Sequence, residues 1–146
     1  MNIPTIRATV AATILMASVS GCLSSTDAQP SLLHLDGSWT YTGAQTAPVR
    51  ENLSGNLTIS IGSGASFQGT LTVVGTNPQT NQQRSLTGSV SGLSQNSNVI
   101  DFDADVETAP RRHVGQIVAD TITGTWVGSS SDGTMSSGTF RAERDR

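Results

Sequence analysis

The densest chemical group in this 146-residue chain is the run Asp101-Phe102-Asp103-Ala104-Asp105-Val106-Glu107, in which four carboxylates alternate with apolar residues. Alternate strand residues project on one face about 7 Å apart, from a rise of roughly 3.4 Å per residue. Asp101, Asp103 and Asp105 are therefore the candidates for sharing a hard cation such as calcium. The calcium-loop pattern fails, because the position that needs Gly holds Val106 and the one that needs Glu holds Arg112. Such sites also draw their oxygens from loops, whereas strict alternation describes a strand. The four acids read as one exposed face, balanced by Arg111 and Arg112, and no metal is expected.

Nucleophilic catalysis needs a hydroxyl or thiol beside a base that a third group orients. The chain has two histidines, His34 and His113. Each reads as an isolated, solvated side chain, and no serine sits in a strand-to-helix elbow. Gly62-Ser63-Gly64 belongs to a turn with no helix after it, so it is not a phosphate loop. The expectation is a protein that is not an enzyme and carries no cofactor.

Cys22 is the sole cysteine, so the domain has no internal disulfide. Ahead of it, Arg7 supplies a positive charge and Ala8–Val19 is apolar or small. That run is well short of the roughly 20 apolar residues a membrane-spanning helix takes, and it reads as the core of an export leader. The segment Val19-Ser20-Gly21-Cys22 resembles the lipobox of bacterial lipoproteins. The resemblance implies cleavage before Cys22 and lipid on its thiol, giving a leader over 1–21, a lipidated cysteine with flexible tether over 22–32, and a folded domain over 33–146. Leu23 is not the aspartate that commonly keeps such proteins on the inner membrane, so the outer membrane of a bacterial envelope is the implied address. The membrane is then a partner through Cys22.

Eight basic residues, all arginine, stand against eleven acidic ones. A mildly acidic chain without basic clusters lacks the concentrated positive charge that nucleic acid requires. Nucleic acid is excluded as a partner.

What must position any site is a set of strands. The chain after Cys22 is rich in Gly, Ser, Thr, Asn and Val, and its apolar residues alternate with period two. Leu57, Ile59 and Ile61 share one face, as do Ile100, Phe102, Ala104 and Val106. A five-residue pattern of apolar, any, Gly, small polar, apolar recurs at Leu35–Trp39, Leu53–Leu57, Phe67–Leu71, Leu86–Val90 and Ile122–Trp126, with a weaker copy at Ser136–Phe140. Its glycine shares parity with the buried side, where glycine marks a bend or the close approach of another group. Repeated at strand spacing, such glycines describe a sheet that curls. Turn signals at Gly62-Ser63-Gly64, Thr76-Asn77-Pro78, Gln95–Asn98, Ala109-Pro110 and Ser131-Asp132-Gly133 divide the strands. Short connections without helices pair successive strands antiparallel. The predicted fold is all-β, a single antiparallel up-and-down barrel of about eight strands, with an open β-sandwich as the alternative.

The opening Gly37-Ser38-Trp39 and the closing Thr139–Arg144 are similar to the calycin group of lipocalins, avidins and fatty-acid-binding proteins. There an arginine near the end of the last strand packs on the tryptophan of the first, so Gly37, Trp39 and Arg144 are the implied barrel-closing residues. The resemblance implies a small apolar ligand in the barrel or at its mouth, near Trp39, Tyr41 and Trp126. No convergent polar group is clearly inward in the sequence. The competing expectation is a filled barrel that acts as a structural or protein-interaction module of the envelope.

Overall fold

The computed structural model describes residues 35–96, 98–107, 109–129 and 132–146, so the segments expected to be leader and tether, with Cys22 and His34, lie outside the described residues. Eight strands follow in order: β1 (Gly37–Ala47), β2 (Glu51–Ile61), β3 (Ser66–Thr76), β4 (Gln83–Asn96), β5 (Val99–Ala104), β6 (Arg111–Val118), β7 (Thr121–Ser129) and β8 (Met135–Arg144). Each pairs antiparallel with the next, and β8 returns to β1, with Trp39 opposite Arg144 and Gly43 opposite Phe140. The fold is thus a closed up-and-down barrel and not an open sandwich. Closure leaves no unpaired edge to template association with another chain.

Alternation sends Leu53, Leu57 and Ile59 of β2 inward, with Phe67, Leu71 and Val73 of β3, Ile100, Phe102 and Ala104 of β5, and Phe140 and Ala142 of β8. Burial of such side chains is the main stabilising term, at roughly 1.5–3 kcal/mol for each large one. The recurrent glycines sit where neighbouring backbones come close. A Cβ on Gly69 would lie 1.8 Å from the Thr58 carbonyl oxygen, and one on Gly124 would lie 2.1 Å from that of Val114. The same contact recurs at Gly55, Gly88 and Gly138. A side chain at these positions would push adjacent strands apart, which is why the pattern repeats around the barrel.

Strand β6 departs from the sequence expectation. Arg111 and His113 face the interior, at 2% and 1% exposed, while Val114 and Val118 face out at 43% and 69%. Register fixes this: Gly115 pairs with Gly124 and His113 with Trp126, so β6 must present its odd positions to the interior. His113 is consequently a core residue and not a solvated one. Glu107 also leaves the expected acidic face, turning to ion-pair with Arg84 and Arg111.

Candidate functional site

The closed barrel has two ends of opposite character. One gathers the start of β1 and the end of β8, where the chain enters at Leu35. There the Trp39 indole Nε1–H donates to the Leu35 carbonyl at 3.0 Å. The Arg144 guanidinium carbon lies 4.8 Å from the Trp39 ring centroid, and its Nη1 donates to the Asp36 carbonyl at 2.7 Å. Gly37 adopts φ +127°, a conformation that favours glycine, and packs beside Arg144 Nη1, which an added Cβ would touch at 3.4 Å. The structure therefore brings Gly37, Trp39 and Arg144 together as a plug.

Mid-barrel, rings fill the bore. Tyr41 stacks on Phe140 at 5.8 Å, Phe102 stacks on His113 at 4.5 Å, and Phe67 meets Phe102 edge to face at 6.1 Å. The His113 Nδ1 lies 2.9 Å from the Arg111 carbonyl oxygen, which can only accept, so Nδ1 carries the proton. Nε2 is then the acceptor, and the Tyr41 hydroxyl donates to it at 3.2 Å. Burial holds His113 down at about 4, with the Arg111 carbonyl opposing and the Arg111 charge assisting. Burial likewise pushes the Tyr41 phenol up, against the pull of Arg111. Both imidazole nitrogens are engaged, so His113 is a neutral strut and not a poised base.

The opposite end is polar. Arg84 forks onto Glu51, with Nε at 2.9 Å from both carboxylate oxygens and Nη2 at 2.7 Å from Oε2, and it also binds Glu107. Arg111 Nη2 donates to Glu107 Oε2 at 3.0 Å, and Gln45 Oε1 accepts from Arg84 Nη2 at 3.2 Å. Burial works to raise Glu107, but the hydrogen bonds and charges of Arg111 and Arg84 outweigh it and hold the carboxyl below its ordinary range. The Arg111 guanidinium also covers the Trp126 ring, 4.4 Å from its centroid.

Three buried polar atoms at this end find no partner among the described residues: Arg111 Nε, Trp126 Nε1 and Ser136 Oγ. Their strands are consecutive and in register, with Trp126 opposite Gly138 and Gly128 opposite Ser136. A Cβ on Gly128 would meet Arg111 Cγ at 2.8 Å, and one on Gly138 would meet Trp126 Cε2, the ring carbon bonded to Nε1, at 2.7 Å. Two bare glycines thus let Arg111 and Trp126 lie down against β7 and β8 beside Ser136. Buried donors without partners cost about 1–3 kcal/mol each.

Of the residues the sequence pointed to, Trp39 and Trp126 do not share a mouth. On β1, Trp39 and the Gln45 position near Trp126 are six residues apart, about 20 Å at strand rise, with Tyr41 between. Asp101 is held by Arg112 on the outer face, through Nε to Oδ1 at 3.1 Å and Nη2 to Oδ2 at 2.7 Å. That pair, with Asp103 and Leu93, borders an external groove of about 500 Å³. Asp105 lies just past β5, its backbone N–H donating to the Ser89 carbonyl at 2.8 Å. The polar end escaped the sequence reading, although one signal was present. In the repeat copy Ser136–Phe140, the slot that elsewhere holds Leu, Phe or Ile holds Ser136.

No protein-family model matches the chain, and no curated protein is significantly similar to it. Solved structures are similar in fold. The designed barrel EF1p2_mFAP2b, bound to DFHBI, superposes with a TM-score of 0.65 at 11% identity, over 80% of this chain and 98% of that one. The redesigned barrel mFAP1, also bound to DFHBI, gives 0.54 at 16% identity, over 79% and 99%. The S-type phycobiliprotein lyase CPES from Guillardia theta gives 0.50 at 9% identity, over 79% and 90%. At these identities the likeness is one of barrel architecture.

Proposed function

We propose that the chain is a lipid-anchored, non-catalytic binding module of the bacterial outer membrane. It takes a small, largely apolar ligand by one polar group at the barrel end formed by Arg111, Trp126 and Ser136. The observation that carries this reading is the presence, on three neighbouring strands at one barrel end, of three buried polar atoms without partners among the described residues. The bore itself is occupied by Tyr41, Phe102, His113 and Phe140, so the ligand enters at the end and does not thread the barrel. Anchoring through Cys22 suits this geometry. The described chain begins at Leu35, beside Trp39, at the barrel end opposite the polar one. That two of the similar designed barrels are bound to a small molecule is compatible with the reading.

The test is a thermal-shift and tryptophan-fluorescence screen of the full chain against small amphiphilic molecules. A ligand should raise the melting midpoint and quench emission, with the quenching lost in Trp126→Phe and kept in Trp39→Phe. Membrane anchoring is tested separately, since Cys22→Ala should move the protein from the membrane to the soluble fraction.

A second reading, a filled barrel whose outer face docks another envelope protein, is favoured by an external groove of about 400 Å³ lined by Val99, Val114, Gln116 and Thr123. A screen without any hit, together with a stoichiometric partner lost on Val114→Glu, would decide for it.

A further inference from the structure

We infer that the polar group recognised at the Trp126 end is an uncharged carboxamide, an inference that rests on the binding reading above and narrows it. The unpartnered set is two N–H donors, Arg111 Nε and Trp126 Nε1, and one hydroxyl, Ser136 Oγ. Two convergent N–H donors call for an acceptor oxygen, and a hydroxyl has lone pairs that call for a donor. A carboxamide supplies both: its carbonyl oxygen accepts from Arg111 and Trp126, and its N–H donates to Ser136.

Charge argues against a carboxylate in the same place. The end already carries two cations, Arg84 and Arg111, matched by two anions, Glu51 and Glu107. Every oxygen of Glu107 and Gln45 that faces the pair is taken up by them. A further anion would enter a neutral, buried setting without a countercharge and lose its hydration for little return. The positions above Gly128 and Gly138 are filled by Arg111 and the Trp126 ring, which a side chain at either glycine would displace from beside Ser136.

The two tryptophans provide their own control, since the Trp39 indole N–H is already bonded to Leu35. The experiment is a titration of the full chain, carrying 15N-labelled tryptophan, with acetamide, acetate and cyclohexanol, following both indole N–H resonances. Acetamide should shift the Trp126 resonance saturably and leave that of Trp39 in place. Ser136→Ala should weaken the acetamide response roughly tenfold, the worth of one hydrogen bond. Acetate matching acetamide, or an unchanged affinity in Ser136→Ala, would overturn the carboxamide assignment. So would a Trp126 N–H that keeps a bound water at saturating acetamide. A saturable Trp126 shift with cyclohexanol alone would overturn the amide and leave the binding reading standing, whereas silence from all three probes would remove both.

Discussion

Acid should unfold this barrel through His113 before its carboxylates begin to titrate. Burial holds the imidazole at about 4 in the fold, against an ordinary value of 6.5. A lowered histidine means that the unfolded chain binds the proton first. Stability is therefore full above pH 6.5 and declines as pH falls toward 4, at up to about 1.36 kcal/mol per pH unit. Between pH 6.5 and 4.5 the loss comes to about 2.2 kcal/mol, a large fraction of the 5–15 kcal/mol by which domains are stable. Glu107 and Asp101 have carboxyls lowered from ordinary values of 4.5 and 3.8, so their stability is present above those values and its loss sets in only at the acid edge of this window. Urea unfolding of the full chain at pH 7.0, 5.5 and 4.5, beside His113→Gln, isolates the effect. The glutamine keeps an acceptor for the Tyr41 hydroxyl but cannot take the proton. Wild type should lose midpoint steadily across the window, and the variant, less stable at pH 7, should hold nearly constant. Equal slopes for the two proteins would refute the assignment of a neutral, buried His113.

Three further outcomes follow from the packing. Gly124→Ala would drive a Cβ to 2.1 Å from the Val114 carbonyl and 2.8 Å from Phe140. It should cost about 3 kcal/mol or more in a urea titration, and a loss below 1 kcal/mol would contradict the close approach. Arg144→Gln should cost about 1–2 kcal/mol through the lost ring contact and the bond to Asp36, with Trp39 emission moving to the red. Unchanged stability and emission would remove Arg144 as the plug. Arg84→Met leaves Glu51 and Glu107 without their shared cation; with the Arg84 side chain 36% exposed, solvent screening limits the loss to about 1–2 kcal/mol. The difference from wild type should shrink in 1 M salt, and a salt-independent difference would point to packing instead.

The barrel was legible because three independent signals agreed: period-two faces, spaced turn residues and the repeated glycine. Trp39, Tyr41, Phe67, Leu71, Phe102, Trp126 and Phe140 could be assigned inward on parity alone, and all are buried. Strand β6 could not be read this way. Two of its three apolar residues, Val114 and Val118, share one parity and its polar Arg111 and His113 the other, so only Ile117 signals the register that Gly115 and Gly124 impose. The turn into β7 was also silent. Ala119 takes a left-handed φ of 53° there, in a turn that carries neither Gly nor Asn. The polar end depended on these same misread positions. Glu51, Arg84 and Arg111 stand near the starts of β2, β4 and β6 and Glu107 in the loop after β5, and only the barrel brings them into one network. Ser136 is the exception, a polar residue standing in the apolar slot of a repeat.

The claim that most of the account turns on is that Arg111, Trp126 and Ser136 form a recognition site. A high-resolution crystal structure of the chain grown with acetamide tests it directly. The prediction is an amide whose oxygen lies 2.7–3.2 Å from both Arg111 Nε and Trp126 Nε1, with its nitrogen facing Ser136 Oγ. Electron density showing those three atoms bonded to other protein groups, or to a single water that acetamide does not displace, would contradict it.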